Sequence, residues 1–479
     1  MKLFKKLLFF VTVIISNYTI HAQTDSIDVF LKNEMQKRHI PGLQLAVVQN
    51  GKIVKLGNFG LSNLQDSIPV TKNTVFIINS ITKAFTGVAI MQLVEAGKLN
   101  LSLPVSTYLY DLPDAWKTVT IQQLLSHTSG IPDIVDEETN IIAPEGEEAS
   151  WAKVQTLPID FKPGEKFRYN QTNYLLLGRI IDKLSNMSFT EFIVKEQLQK
   201  TGMINTTRAG FGGSKDVIAH SAREYRFKKG KYTNMFFWLP PSLQAAGGMG
   251  ATAKEMADWI IALQNKQLLK EQKSLTTLWT PALLNNGKTG GFDNLLNGYA
   301  AGWPTITREQ HPAVAPVGGG RSALFVYPKD NLSIVVLTNL NGASPETFID
   351  ELAAFYIPDM KKLAGIGFSP SVGNLRNVLE KSGYKQAIEE AKKAKTTFEE
   401  NEINNWGYML LKEKRIKDAI EIFKLNVSLY PNSANTYDSL GEMYAFMDEK
   451  VLAIENYEYS LKLNPKNKNA EEVLKKLKK

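Results

Sequence analysis

The apolar positions of this chain follow two different periods. Leu43-Gln-Leu-Ala-Val-Val48 and Lys52-Ile-Val-Lys-Leu-Gly57 are short runs separated by Asn50-Gly51. That dipeptide favours a two-residue hairpin turn, so a strand pair is expected over Pro41 to Leu61. From Ala84 to Val94 the pattern becomes helical, and Gly97 is placed to close it as a C-cap. A short helix is expected to end at Ser126-His127-Thr-Ser-Gly130. Tyr169 is followed by a second helical apolar run through Leu175-Leu-Leu-Gly178. Thr252 with Glu255 three residues later has the spacing of a capping box. Ser322–Pro328 and Leu332–Asn339 read as two strands joined by Lys329-Asp-Asn, and Pro345–Tyr356 reads as a helix that Pro358 stops.

Beyond this point the chain repeats itself. Gly407 recurs as Gly441, Ala419 as Ala453, Ile420 as Ile454, Phe423 as Tyr457, Leu429 as Leu463 and Pro431 as Pro465, each pair 34 positions apart by subtraction. The period and the order of residue types resemble the tetratricopeptide repeat. Two repeats are clear, and Tyr384-Lys-Gln-Ala-Ile-Glu-Glu-Ala has the look of a degenerate third. The expected organisation is a signal peptide over 1–22, a first domain over 23–358, a linker over 359–383 containing Gly365, Gly367, Pro370 and Gly373, and a helical domain over 384–479.

Composition narrows the class. The 479 residues are 43% hydrophobic and 22% charged, the usual balance of globular domains. The net charge of +8 lies partly in the terminal cluster Lys475, Lys476, Lys478 and Lys479. No basic stripe interleaved with aromatics accompanies it, so no nucleic-acid partner is expected. Lys2, Lys5 and Lys6, the apolar run Leu7–Ile15 and Ala22 before Gln23 have the pattern of a cleaved export signal, with no stable membrane anchor. Export to the periplasm or the exterior follows as the expectation. Cysteine is absent, which removes disulfides, thiolate chemistry and a lipidated cysteine. His39, His127, His220 and His311 lack ligand spacing, and no cofactor motif is present, so neither a metal nor a cofactor is expected.

The candidate chemistry begins at Ser80-Ile-Thr-Lys83. At the start of a helix, positions i and i+3 share a face. An amine with a lowered pKa can take the proton of a neighbouring hydroxyl, and the helix N-terminus favours a developing oxyanion. Ser-x-x-Lys also occurs at Ser150 and Ser382, so the tetrapeptide alone says little. His127 is read as a buried ring tying a loop to backbone groups rather than as a base, because a lysine already stands beside the serine. Tyr169 is either a half-buried core residue or a proton carrier. Gly318-Gly-Gly320-Arg321 is either a plain bulge or a place where a ligand approaches the backbone.

Taken together, residues 26–357 resemble the serine β-lactamase/penicillin-binding-protein superfamily, in particular the group related to class C β-lactamases and D-Ala-D-Ala carboxypeptidases, which includes esterases. The resemblance rests on Ser80-Ile-Thr-Lys83, Leu124-Leu-Ser-His-Thr-Ser-Gly130, Pro163-Gly164 with Tyr169, Ala246-Gly-Gly248 with Thr252, and Val335-Val-Leu-Thr-Asn339. It implies an α+β fold: an antiparallel sheet flanked by helices plus a helical lobe, here followed by an all-α repeat domain. It further implies Ser80 as nucleophile, Lys83 and Tyr169 as proton-transfer groups, and oxyanion donors at the N–H of Ser80 and of Gly319 or Gly320. Two departures stand out. Gln171 replaces the asparagine of a Tyr-x-Asn motif. The basic residue of a Lys/His-Thr/Ser-Gly motif is missing at Pro316-Val-Gly318 or Val317-Gly-Gly319, leaving Arg321 as the nearby source of positive charge.

The resemblance thus implies an exported serine hydrolase acting on an ester or amide, from a small molecule or a peptide, with Gln171, Gly318, Gly319, Gly320 and Arg321 toward the substrate. The alternative is a catalytically weak or inactive binding protein whose repeats carry the function, through a protein partner or self-association. A β-lactamase conferring resistance ranks below a β-lactam-insensitive hydrolase, because the missing cation would hold a substrate carboxylate.

Overall fold

The computed structural model describes residues 26–136, 140–362, 370–394, 398–412 and 415–478. The expected signal segment lies outside them. The chain divides into two compact units, one ending at Pro358 and the other running from Asp359 to Lys479.

The first unit is built on an antiparallel sheet. From one edge to the other its strands are Ile68–Pro69, Lys52–Asn63, Gly42–Gln49, Leu332–Thr338, Ser322–Tyr327, Ala313–Val314, Pro304–Ile306 and Gly298–Tyr299, with Val317–Gly318 pairing Ser322–Tyr327 off this path. The hairpin at Asn50-Gly51 forms as the sequence suggests, with both residues in the left-handed region (φ +51° and +72°) that a tight reversal needs. Seven of the eight residues in Gly42–Gln49 are buried, because helices cover both faces of the central strands. Gln44 is tolerated there because its amide is fully used. It donates to the Thr71 carbonyl (2.6 Å) and accepts from the Ala253 N–H (2.8 Å), tying the sheet to the first turn of the helix Ala253–Gln264.

The helix Thr82–Glu95 runs through the middle of this unit. Eleven of its 14 residues are buried, so it has no solvent face to speak of. Gly97 follows it at φ +69°. A Cβ added at Gly87 would lie 2.0 Å from the Ala301 carbonyl oxygen, so only glycine lets the turn at 300–303 close onto the helix. The capping box expected at Thr252 is half formed. Thr252 accepts from the Glu255 N–H (3.2 Å), but the Glu255 carboxylate turns away to the N–H groups of Asn205 (2.8 Å) and Thr206 (2.9 Å). A neighbouring helix start offered it more donors than its own.

The second unit is all-helical: Pro370–Ser382, Tyr384–Lys393, Glu400–Lys412, Ile416–Leu429, Ala434–Phe446, Lys450–Leu463 and Lys468–Leu477. Within the expected linker 359–383, the described residues Pro370–Ser382 are thus helical. Pro370–Ser382 is a helix that packs on Tyr384–Lys393 through Val372, Leu375, Leu379 and Ala387. Its proline sits at the first helical position, where no N–H is missed. The 34-residue period has a physical basis. Phe423 fills the space over Gly407, and Tyr457 the space over Gly441. The bond Asn426 Nδ2 to the Glu400 carbonyl (3.1 Å) recurs 34 positions later as Ser460 Oγ to the Ala434 carbonyl (2.8 Å). Each helix pair is thus a copy of the same packing unit, consistent with a helical repeat domain.

Replacing Gly87 by alanine is expected to overpack the contact with Ala301 and lower the unfolding free energy of the first unit by about 1–3 kcal/mol, the usual range for overpacked cores. Chemical denaturation of Gly87→Ala against the unaltered protein measures this.

Candidate active site

Ser80 lies on a single 3-10 turn, Asn79–Ile81, between the short strand Phe76–Ile77 and the helix Thr82–Glu95. The strand is held by pairing with Gly250–Ala251, and Ile78 N–H donates to the Met249 carbonyl at 2.9 Å. From the other side the hairpin Val317–Gly318 and Ser322–Tyr327 closes over it. A Cβ at Gly318 would lie 2.0 Å from the Ile78 carbonyl, and one at Gly319 would lie 2.9 Å from Asn79 Nδ2. These contacts explain why side chains are absent at both positions. Gly320 faces Gly342 and Ser344 instead. Asn79, preceding the serine, is held at φ +49° with its Oδ1 buried and unpartnered, a strained setting for a non-glycine residue.

Lys83 is completely buried. Its Nζ donates to Gln171 Oε1 (2.8 Å) and to the Ala246 carbonyl (2.7 Å), and lies over the rings of Tyr169 (4.7 Å) and Tyr174 (5.0 Å). Loss of hydration lowers its pKa to about 7, against a smaller upward pull from the Asp133 carboxylate. At neutral pH a large fraction of this amine is therefore unprotonated. Thr86, one turn on, donates to the Ala245 carbonyl (2.7 Å). The carbonyls of Ala245 and Ala246 thus receive Thr86 and Lys83 of the buried helix.

The hydroxyl of half-buried Tyr169 lies beside the side chains of Ser80 and Gln171. Burial raises its pKa above the usual phenol value, and the polar side chains of Ser80 and Gln171 oppose the shift. Gln171 is the first residue of the helix Gln171–Ser185, which Asn170 caps by accepting from the Asn173 N–H at 3.0 Å. The extra methylene of Gln171 over asparagine is taken up in reaching Lys83. Ser80, Lys83, Tyr169 and Gln171 are therefore brought together, with Gly318 and Gly319 against the turn that carries Ser80.

Arg321 stands differently. Its buried guanidinium pairs with Glu224, whose second oxygen accepts from Ser214 Oγ at 2.8 Å, and its Nε has no partner. The charge expected to serve a substrate is neutralised inside the protein, since an arginine this deeply buried needs a carboxylate beside it.

Sequence reasoning missed Asp133. Its Oδ1 accepts from the N–H of Gln171 (2.9 Å) and of Val135 (3.4 Å), and its charge is felt by Lys83. Nothing in the local sequence marks it for the site, because the Gln171 N–H that it holds lies 38 positions away. His127 is buried at φ +57°, and its Nδ1 accepts from the Asn170 N–H at 3.1 Å. The ring proton therefore sits on Nε2. Tyr169, Tyr299 and Tyr174 surround the ring at 4.4, 4.7 and 5.1 Å. Burial, with help from Lys83, pushes its pKa well below the ordinary value. The histidine ties the turn at 127–130 to the start of the following helix, as its sequence context suggests.

In NMR spectra His127 is expected to be a neutral Nε2–H imidazole at neutral pH, with any titration midpoint well below that of a free histidine, near 6.5. A midpoint near 6.5 would remove the structural role given to it here.

Residues 27–357 match the family model described as Beta-lactamase. Protein flp of Staphylococcus aureus (strain COL) is 29% identical over 335 residues, which are 68% of this chain and 65% of that protein. The chain thus spans 65% of the length of this relative. Putative penicillin-binding protein PbpX of Bacillus subtilis (strain 168) is 30% identical over 275 residues, 54% of this chain and 68% of that protein. Among solved structures, the octameric penicillin-binding protein homologue from Pyrococcus abyssi superposes with a TM-score of 0.61 at 25% identity, covering 75% of this chain and 82% of that one. The antiparallel sheet with its flanking helices, the serine turn beside a buried lysine, and a family match over most of the first unit place this chain in the beta-lactamase family of the β-lactamase/penicillin-binding-protein superfamily.

Proposed function

We propose that the protein is a serine hydrolase that cleaves an uncharged ester or amide through an acyl-enzyme on Ser80. The observation that carries this reading is the state of Lys83: a fully buried amine with a pKa near 7, one turn beyond a serine that Tyr169 adjoins. A neutral amine accepts the serine proton as the hydroxyl attacks the carbonyl carbon. Tyr169, beside Ser80, conveys a proton to the leaving oxygen or nitrogen. Water then attacks the acyl-enzyme, and the same groups return the proton to Ser80. The N–H of Ser80 and that of Gly319 are the donors assigned to the oxyanion. Gly319 is preferred over Gly320 because it lies against Asn79. Gln171 positions the amine and lines the substrate side.

The neutral substrate follows from Arg321. Its pairing with Glu224 leaves the glycine hairpin without a free cation to meet a carboxylate. The N-terminal segment supports export, and the helical repeats support a docking or self-associating role for the second unit.

With a p-nitrophenyl ester, acylation is expected to rise with pH through a midpoint near 7, because the deprotonated amine is the active form. Ser80→Ala should lose the covalent fluorophosphonate adduct seen by intact mass. Lys83→Ala and Tyr169→Phe should each lose on the order of 10²–10⁴ in rate. An adduct that survives in Ser80→Ala, or no adduct in the folded protein, would sink the proposal and favour a binding role.

Arg321→Met is expected to destabilise the first unit by about 3–5 kcal/mol, since it strands Glu224 in the interior. Below its unfolding transition the KM for a neutral ester should be unchanged. A KM that rises while stability holds would show Arg321 to be a substrate contact.

A further inference from the structure

A hairpin outside the main sheet carries a charge pattern that the serine chemistry does not use. Its strands are Glu224–Lys228 and Lys231–Met235, in a separate small sheet with Leu340–Asn341. Lys229 and Gly230 join them, both in the left-handed region (φ +50° and +76°). Side chains alternate between the two faces of such a ribbon. One face packs on the body of the unit. Phe227 stacks on His39 at 3.9 Å, and the Tyr232 hydroxyl donates to the His39 carbonyl (2.9 Å). Tyr225 and Asn234 both bond the Gln65 side chain (2.6 and 2.8 Å). The other face therefore points outward.

That outward face is cationic. Arg226, Lys228, Lys231 and Thr233 lie on it, and all four are exposed. Lys228 stands directly opposite Lys231, with Lys229 in the turn between them. Like charges facing each other across a ladder destabilise it. None of these cations has an ion-pair partner among the described residues. Glu224, the carboxylate on this face, is already taken by Arg321 and by Ser214 (2.8 Å). Lysines on an edge strand can serve merely to prevent pairing. That role does not account for what stands beside them.

At the root of the cationic face, apolar side chains stand in water. Ser214, which bonds Glu224 there, also accepts from the Phe237 N–H (3.1 Å), and its own N–H donates to the Phe237 carbonyl (2.6 Å). The segments 214–217 and 236–238 thus lie side by side at that root. Phe236 is 81% exposed, Val217 fully so, and Lys215 covers the ring of Trp238 at 4.6 Å. Exposed rings flanked by cations suit the boundary between water and lipid, where apolar groups enter the headgroup layer and ammonium groups meet phosphates. A soluble polyanion would match the cations alone. We propose that this face of the hairpin, with Phe236 and Val217 at its root, docks reversibly on an anionic lipid surface.

Cosedimentation with vesicles tests this, using the protein without the expected export signal 1–22, whose apolar run would bind lipid by itself. Binding is expected to vesicles of equal parts phosphatidylglycerol and phosphatidylcholine, and not to vesicles of phosphatidylcholine alone. Arg226→Gln, Lys228→Gln and Lys231→Gln together should weaken it on the order of a hundredfold. Phe236→Ser with Val217→Ser should weaken it about tenfold. All five positions are exposed, so the thermal unfolding of both variants should match that of the unaltered protein. No binding to the anionic vesicles, or equal binding to the neutral ones, would overturn the proposal. Binding that survives the triple variant would overturn it by placing the contact elsewhere, such as the terminal lysines 475–479. An unchanged affinity in the Phe236→Ser, Val217→Ser variant, with inorganic polyphosphate displacing the vesicles, would make the face a polyanion site instead.

Discussion

Everything in the first unit is arranged around the burial of one amine. Lys83 sits on a helix with almost no solvent face, and removing an ammonium from water is opposed by several kcal/mol. The chain responds in the two ways open to it. The pKa falls to about 7, so the charge can be shed, and the protons of the amine meet oxygen atoms of Gln171 and Ala246. Those partners come from separate parts of the chain. The position of one lysine therefore requires the helix beginning at Gln171, the small-residue loop at 245–248 and the tyrosines beside it to be in place together.

The same constraint accounts for the small residues around the site. The hairpin at Gly318 and Gly319 can close over the serine turn only without side chains, since its backbone lies against Ile78 and Asn79. The turn at 300–303 can close on the helix only at Gly87. These are places where backbone meets backbone, and the serine is set between them. Positive charge is handled just as strictly. Arg321 follows the glycines directly, yet it is drawn into the interior by Glu224. The hairpin keeps its shape and carries no free charge to the substrate side.

The helical unit obeys a simpler rule. One aromatic per repeat packs on one glycine, and one side chain per repeat bonds a carbonyl of the preceding helix. Because each contact spans neighbouring helices only, the same solution can be used again 34 residues later. The helix Pro370–Ser382 extends this packing toward the N-terminus, where glycines and a proline had suggested a linker. Glycine at 373 weakens the helical pattern locally, but burial of Val372, Leu375 and Leu379 outweighs it.

The sequence by itself determined whatever depends on near neighbours. The Asn50-Gly51 hairpin, the helix closed near Gly97, the asparagine-capped helix after Tyr169 and the 34-residue period are all products of local backbone preference and apolar spacing. The placement of Ser80 one turn before Lys83 belongs to the same class, since three residues of helix bring them to one side. Only the tertiary structure decided what those residues meet. That Tyr169 adjoins the serine, that Gln171 reaches Lys83, that Asp133 anchors the helix beside them and that Arg321 turns to Glu224 all depend on contacts between distant segments. So does the lowered pKa of Lys83, because desolvation is a property of the surroundings. A side chain's chemistry is written in the chain, but its dielectric environment exists only once the chain has closed around it.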